Sequence, residues 1–463
     1  MNFNKFSRIA LAVAFATAMG SCGIYTSYKT PESTPMTKAY AEARELPVDS
    51  AAFGNLLWED VFTDPILAGY IREALQNNVN LQNAKLNVDV ANANLLGANL
   101  SYLPSVALAP TAAIAGNSYI DGTSKTYQIP ASVSWEIDIF GKLRNNRKGA
   151  KAAVLKSEAY AQAVRSQIIG AVANTYYALT AVKTQLELQR NTAGLWKQTV
   201  KTMSDLKEGG RGVTEAAVVQ SAANYYSILS SITDLEASVD QLNNTMSLLL
   251  NKLPQEWETT RAVDLQVPTI LRAGVPMAEL AARPDVRAAE QDLAAAFYAT
   301  NSARAAFYPS LNITANGGFT NSLGTLIVNP GQWFYQLAGS LTAPLFSRGQ
   351  NIARLKASKI QQQQTLNNFE YTILSAAAEV SDALTVYEKS IEKSAHLKQM
   401  VENLEKSVEY TNDLMLYSTG STSYLEVLTA QQSLLGAQMN QISTDLSRAQ
   451  AVINLYQALG GGR

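Results

Sequence analysis

The residues that could do chemistry are few, and their scarcity decides much. Cys22 is the only cysteine and His396 the only histidine, so neither a Cys/His zinc set nor a disulfide within the chain can form. Gly209-Gly210-Arg211-Gly212 is glycine-rich but lacks the preceding strand and the Lys-Ser/Thr pair of a phosphate-binding loop. Carboxylate pairs are few and fall on helical tracts without a pocket. The methionines are scattered rather than grouped as a copper(I) relay, and His396 reads as a solvated helix residue. These residues point away from an enzyme and call for no metal or other cofactor. Lipidation at Cys22 is the one modification they suggest. Lys5 and Arg8 form a positive n-region and Ile9 to Met19 a short apolar h-region, the pattern of a secretory signal and too short for the ~20 residues of a spanning helix. Met19-Gly20-Ser21-Cys22 resembles a lipobox, with Met19 where Leu is usual. A buried thiol is the bland alternative; the position directly after the signal favours acylation, which stabilises anchoring by ~0.8 kcal/mol per buried CH₂.

The remaining chain must be read for what it builds. Residues 1–21 read as the signal and 22–62 as an extended tether carrying Pro31, Pro35 and Pro47. After it the sequence repeats its plan about 205 residues later. Leu103-Pro104-Ser105-Val106 aligns with Tyr308-Pro309-Ser310-Leu311, and Asn80, Leu81 and Ala84 fall on Asp285, Val286 and Ala289. Phe140 and Phe346 align at nearly the same offset, and Gly212-Val213-Thr214 aligns with Gly420-Ser421-Thr422. A period this long is not a solenoid; it predicts one structural half built twice, over 63–253 and 280–463, joined by a linker at 254–279.

Proline placement divides each half. None occurs from Ala131 to Leu253 or from Leu345 to the end, and both tracts are too long to be anything but helical. Lys142 to Leu206 alone makes roughly 98 Å of helix. Apolar rows recur every seven residues: Val172, Leu179, Leu186 and Ala193 on the first long helix, Ile228, Leu235, Leu242 and Leu249 on the next. The second half repeats this with Val380, Tyr387, Val401 and Val408, polar Ser394 interrupting, and then Leu428, Leu435, Ile442 and Ala449. Sustained rows of this kind predict coiled-coil packing. Gly460-Gly461-Gly462 reads as a disordered tail.

Between the helices lie four predicted strands, about 104–115, 127–139, 309–320 and 333–345. Ile129, Ala131, Val133, Trp135 and Ile137 alternate with Gln128, Ser132, Ser134 and Glu136; Leu311, Ile313 and Phe319 alternate with Asn312, Thr314 and Thr320. The run from Val106 to Ala115 is apolar on both faces. An apolar face against a small-polar face fits either a sheet on a soluble core or barrel strands between lipid and water. Strand length, aromatics near the strand ends (Tyr102, Phe140, Phe307, Tyr308, Trp333, Tyr335) and helices already occupied with each other favour the membrane. Four strands cannot close a barrel, for which ~8 is the practical minimum, so the barrel must be shared between chains. Charged residues are only 16% and the net charge is −1, without the basic stripe of a nucleic-acid binder.

Local motifs sharpen this reading. Arg283-Pro284-Asp285-Val286-Arg287-Ala288-Ala289-Glu290, followed by Phe307-Tyr308-Pro309-Ser310-Leu311, is similar to the R-P-D-[IV]-x-x-A-E run and [FY]-P-x-[LI] strand start of the TolC-like outer membrane efflux proteins. Trp135-Glu136-Ile137-Asp138-Ile139-Phe140-Gly141 matches the family's W-x-x-D-x-F-G segment, and the lipobox fits its lipid-anchored OprM/NodT-type branch. The resemblance covers the mature chain. It implies a mainly α fold with a membrane β-barrel, in which four strands per chain build a shared, trimeric, 12-stranded barrel and the helices form a long coiled-coil tunnel. The implied function is a passive exit duct for small molecules such as drugs. The implied partners are two further copies, outer-membrane lipid, a periplasmic adaptor (membrane fusion) protein and an inner-membrane RND-type transporter. A type I exit duct for polypeptides and a non-pore lipid-anchored scaffold are the alternatives.

On the same resemblance the adaptor-contacting turns map to Gly212, Val213 and Thr214 and to Gly420, Ser421 and Thr422. The periplasmic aperture maps to Glu426, Tyr417 and, more weakly, Asp413. Glu426 matches the first acidic position of the mouth, Thr429 replaces the second, and Tyr417 matches a tyrosine that helps hold the family's namesake closed. Val218 and Ser221 take the equivalent places in the first half, without a carboxylate.

Overall fold

The repeat is visible as matched helix lengths. In the computed structural model, which describes residues 25–32, 34–44, 53–117, 120–210, 212–260, 277–322, 332–417 and 424–462, short helices α1 (Pro35–Arg44), α2 (Trp58–Val61) and α3 (Pro65–Asn77) precede α4 (Val79–Leu100). Strands β1 (Ser105–Leu108), β2 (Thr111–Asn117) and β3 (Ile120–Ile137) then lead into the long α5 (Lys142–Glu208) and α6 (Glu215–Leu249). The second half runs α7 (Met277–Ala282), α8 (Pro284–Ala305), β4 (Ser310–Ser322), β5 (Gln332–Thr342), α9 (Gln350–Tyr417) and α10 (Tyr424–Ala458). Both α4 and α8 have 22 residues, α5 and α9 have 67 and 68, and α6 and α10 have 35 each. The signal segment and Cys22 lie outside the described residues.

The chain divides into two compact units. One comprises Met1–Thr37, Leu86–Glu158 and Arg287–Tyr371 and contains the sheet. β3, β4 and β5 are antiparallel neighbours, and β1 and β2 both pair with the outer side of β3. The predicted first strand is thus broken in two. Pro110 has no N–H for the ladder, and the link is kept by Ala109, whose N–H donates to the Pro130 carbonyl at 3.2 Å. β3 begins at Ile120 rather than near 127, and β5 ends at Thr342 rather than 345. Beneath the sheet, Lys156 pairs with Asp292 at 2.7 Å and Lys148 lies over the Tyr298 ring, tying α5 to α8. The first described part of the segment expected to be an extended tether packs on this unit. Tyr28 meets Phe297 edge-on at 5.7 Å, and Thr30 donates to the buried Glu290 at 2.7 Å.

The other unit comprises Lys38–Lys85, Ala159–Val286 and Thr372–Arg463. Here the seven-residue row of α5 is buried at Val172, Leu179, Leu186 and Ala193, with Ile168, Trp196 and Met203 beside it. Ser394, the polar interruption on α9, donates to Asp445 of α10 at 3.4 Å. The two halves close their helix ends in the same way. Asn78, just before α4, donates to the carbonyl of Leu249, the last residue of α6, at 2.8 Å. Arg283, just before α8, donates to the carbonyl of Ala458, the last residue of α10, at 2.6 Å. The arginine also forks onto Asp285 at 3.0 and 2.7 Å and reaches Glu379 of α9 at 2.7 Å. The Arg-Pro-Asp motif is therefore a structural clamp.

The glycine tail is likewise ordered, against expectation. The Gly461 N–H donates to Tyr456 and the Gly460 N–H to Gln457, both at 2.8 Å, a Schellman closure with Gly460 at φ 75°. A side chain at Gly460 would press on Arg283 and Pro284 at 3.2 Å. The predicted linker is also partly fixed. Trp257 is buried, donates to Ser247 at 2.9 Å and accepts from Lys183 at 2.6 Å.

Candidate functional site: the sheet faces and the hairpin ends

Cross-strand register assigns each strand residue to a face, because side chains alternate along a strand and paired residues share a side. Ile129, Phe319 and Trp333 form one row, Val133, Ala315 and Leu337 another, and Ile137, Leu311 and Leu341 a third. Val106 joins the second row through Val133. The opposite face carries Gln128 with Thr320, Ser132 with Asn316 and Gln336, and Ser134 with Thr314 and Ala338. Among the described residues most of the apolar face has no cover: Val106 is 72% exposed and Leu337 75%, while Tyr127 towards the far end is buried. Aromatics mark both ends. Phe140 stacks on Tyr308 at 5.1 Å and the Trp135 indole donates to the Tyr102 carbonyl at 2.9 Å near the helices; Trp333 and Tyr335 pack together at 5.2 Å at the far end.

The first hairpin end is a turn built by two left-handed glycines, Gly210 (φ 65°) and Gly212 (φ 77°). Thr214 caps α6, its hydroxyl accepting from the Ala217 N–H at 3.3 Å. Lys207 pairs with Glu215 across the turn. Gly212, Val213 and Thr214 thus form a self-contained turn; Gly420, Ser421 and Thr422 lie outside the described residues. Glu426 stands exposed in the first turn of α10, and Asp413 is exposed near the end of α9. Tyr417 is the last residue of α9, and its side chain is likewise outside what is described.

The hairpins correspond at an offset of about 209 residues, since α6 and α10 begin and end that far apart. The partners of Glu426 and Thr429 are therefore Ala217 and Gln220 rather than Val218 and Ser221. The first half still lacks a carboxylate there. Ser221 has a different role. It is fully buried, and its hydroxyl and that of Thr199 share hydrogen bonds with the Tyr424 hydroxyl. Burial pushes the Tyr424 hydroxyl above the ordinary tyrosine range, and these two bonds oppose the shift. Tyr424 also packs with Tyr225 against the Trp196, Ile228 and Leu428 cluster. Sequence reading missed this tie; the only signal was an aromatic at the start of a helix otherwise read for its acid.

A second tie missed from sequence centres on Asp64. Its carboxylate caps α3 through the Ile66 N–H at 2.9 Å and accepts from the Tyr176 hydroxyl at 2.7 Å and Thr260 at 2.8 Å. Burial alone would raise its pKa, but these bonds outweigh it and hold the carboxyl below the usual range. Burial pushes the Tyr176 hydroxyl up to about 12. No group of three or more His, Cys, Asp or Glu side chains is placed to hold a metal among the described residues, and no described helix is long and apolar enough to cross a membrane.

A sheet with one lipid-type face and one water-type face, joined to paired helices of this length, defines a subunit of a membrane duct. The comparisons agree. The family model described as "Outer membrane efflux protein" matches residues 70–252 and 275–461. The chain is similar to the cation efflux system protein CusC of Escherichia coli O6:H1 (29% identical, 98% of each chain covered). It is similar to the toluene efflux pump outer membrane protein TtgC of Pseudomonas putida (30% identical, 98% of this chain and 96% of the relative). A crystal structure of CusC, solved to follow folding and transmembrane channel formation, superimposes with a TM-score of 0.84 at 26% identity over 95% of this chain and 100% of that one. The chain belongs to the outer membrane efflux protein family, and it is an outer-membrane channel component of a tripartite efflux system.

Proposed function

We propose that three copies of this chain close their sheets into one twelve-stranded barrel and align their hairpins as a periplasmic tunnel. The observation that carries this reading is the sheet itself. Its apolar face is mostly uncovered, and its outer strands, β1 with β2 on one side and β5 on the other, each pair on one side only among the described residues. In lipid each unpaired backbone group costs several kcal/mol, so both edges need partners. Two copies would give too narrow a bore, since only larger barrels leave an open lumen. The half-buried Ile442 and Leu435 of α10 suit further helix packing in such a ring.

In this reading Cys22 carries the lipid anchor, and the two hairpin turns, Gly212-Val213-Thr214 and Gly420-Ser421-Thr422, meet a periplasmic adaptor. An inner-membrane RND-type transporter supplies energy and small-molecule cargo. Glu426 gives one ring of three carboxylates at the tunnel mouth, flanked by Tyr417 and Asp413, and favours cations there. The relatives named above carry a cation in one name and toluene in the other, so family membership alone does not fix the cargo. The test is the mass of the detergent-extracted assembly, expected at three chains; a stable monomer would defeat the reading. Glu426→Ala is expected to lower the cation preference of conductance, and an unchanged preference removes the mouth assignment.

A further inference from the structure

The polar face of the sheet is as informative for what it lacks as for its exposure. From Thr126 to Ser134 on β3, about 27 Å of strand, its positions and their partners on β4 and β5 are hydroxyl, amide, proline, alanine and glycine residues, with Phe334 the one aromatic. β1 and β2 add Ser105, Ala107, Thr111 and Ala113 to it. Glu136 is the only ionisable residue on this face among the described side chains, and it sits at the end nearest the helices. It is neutralised there by Lys142, whose ammonium lies 2.9 and 3.3 Å from the two carboxylate oxygens. Pores that select by the sign of charge commonly do so with rings of like-charged side chains. This face does the opposite. Its hydroxyls both donate and accept hydrogen bonds and its amides carry both groups, so they solvate anions, cations and neutral solutes alike.

We infer that the barrel bore of this protein does not select its cargo by charge, and that any charge selection made by this chain is made in the tunnel. The inference rests on the proposed duct, with this face towards water. It makes the outer half of the path indifferent to whether the cargo is a cation, an anion or an uncharged molecule.

The experiment is reversal-potential measurement on purified assemblies in planar bilayers under a potassium chloride gradient. The double variant Glu136→Gln/Lys142→Gln is expected to keep the wild-type cation-to-anion ratio. Gln336→Glu, which puts one new carboxylate per chain on the same face, is expected to raise that ratio about fivefold at ~0.1 M salt, for three charges ~10 Å from the axis. Asn316→Asp, at the paired position on β4, serves if Gln336→Glu fails to assemble. A several-fold change in the double variant would overturn the inference, because the bore would then already hold a filter. No change on adding the carboxylate, while Glu426→Ala still shifts the ratio, would show that this face does not line the conducting path and would overturn the inference by removing that premise. Failure of wild-type assemblies to conduct at all would instead strike the duct reading on which the inference rests.

Discussion

Replacing Arg283 by Ala should damage the second hairpin chiefly through one backbone carbonyl. The guanidinium is 6% exposed at its side chain, whereas its carboxylate partners Asp285 and Glu379 are 42% and 52% exposed. Both carboxylates face a cavity of about 600 Å³ that Asp382, Gln450 and Asn454 also line, so water takes over when the arginine is gone. Because the carboxylate side of each pair is open to solvent, each is screened towards the ~0–1 kcal/mol of surface pairs. Ala458 also borders that cavity but is only 3% exposed, so its carbonyl is far less open to water than the two carboxylates. It is buried with the end of α10, and a buried acceptor left unsatisfied costs roughly 1–3 kcal/mol. Lost packing of the arginine stem adds to this, giving about 3 kcal/mol for Arg283→Ala and under about 1 kcal/mol for Glu379→Gln. Urea unfolding of the purified protein, followed by helical circular dichroism, compares the two. Equal losses would refute the reasoning, because the clamp would then be ionic rather than a cap on α10. Asn78→Ala removes the corresponding bond to Leu249 in the first half and, with it, the cap of α4, for about 2 kcal/mol.

Three other outcomes follow from the same contacts. Gly318→Ala should sharply reduce assembled protein, since a Cβ there would collide with the Ile129 carbonyl oxygen and approach Pro130 Cα to 2.8 Å, whereas Gly317→Ala meets only the Phe334 oxygen at 3.6 Å and should be tolerated; heat-resistant oligomer on gels reads the difference. Asp64 is held below its unfolded value, so its contribution is full above about pH 5 and is lost as pH falls through ~3.9 towards the folded value; Asp64→Asn keeps the cap but weakens the charge-assisted bonds from Tyr176 and Thr260, which should cost ~1 kcal/mol at pH 7, and the gap from wild type should close in acid. Tyr424→Phe should loosen the hairpin end by about 1 kcal/mol and be non-additive with Thr199→Val in a double-mutant cycle of urea unfolding.

The parts of the fold that were legible in the sequence were those set by local periodicity. Proline-free tracts delimited α5, α6, α9 and α10, and alternation from Ile129 to Ile137 and from Leu311 to Phe319 assigned faces that the register reproduces. Where alternation failed the reading failed. Around Gly122 and Ser124 polar residues follow one another, and the start of β3 was placed too late. Long-range ties were not legible. Asp64 finds Tyr176 112 positions away and Thr260 196 away, and Arg283 finds Ala458 175 away; each partner taken singly is an ordinary helix or loop residue. The Arg-Pro-Asp motif was recognised, but its role needed the end of α10 beside it. Gly460 and Gly461 looked like a tail because glycine runs usually are, while their role is to turn the chain back over Tyr456.

Single-channel recording of the purified wild-type assembly in planar bilayers tests the duct most directly. Discrete conductance steps, carried by assemblies of three chains, are the expected result. Assemblies of three chains that insert into the bilayer and pass no current would contradict it, and would leave the long helices as a scaffold without a pore.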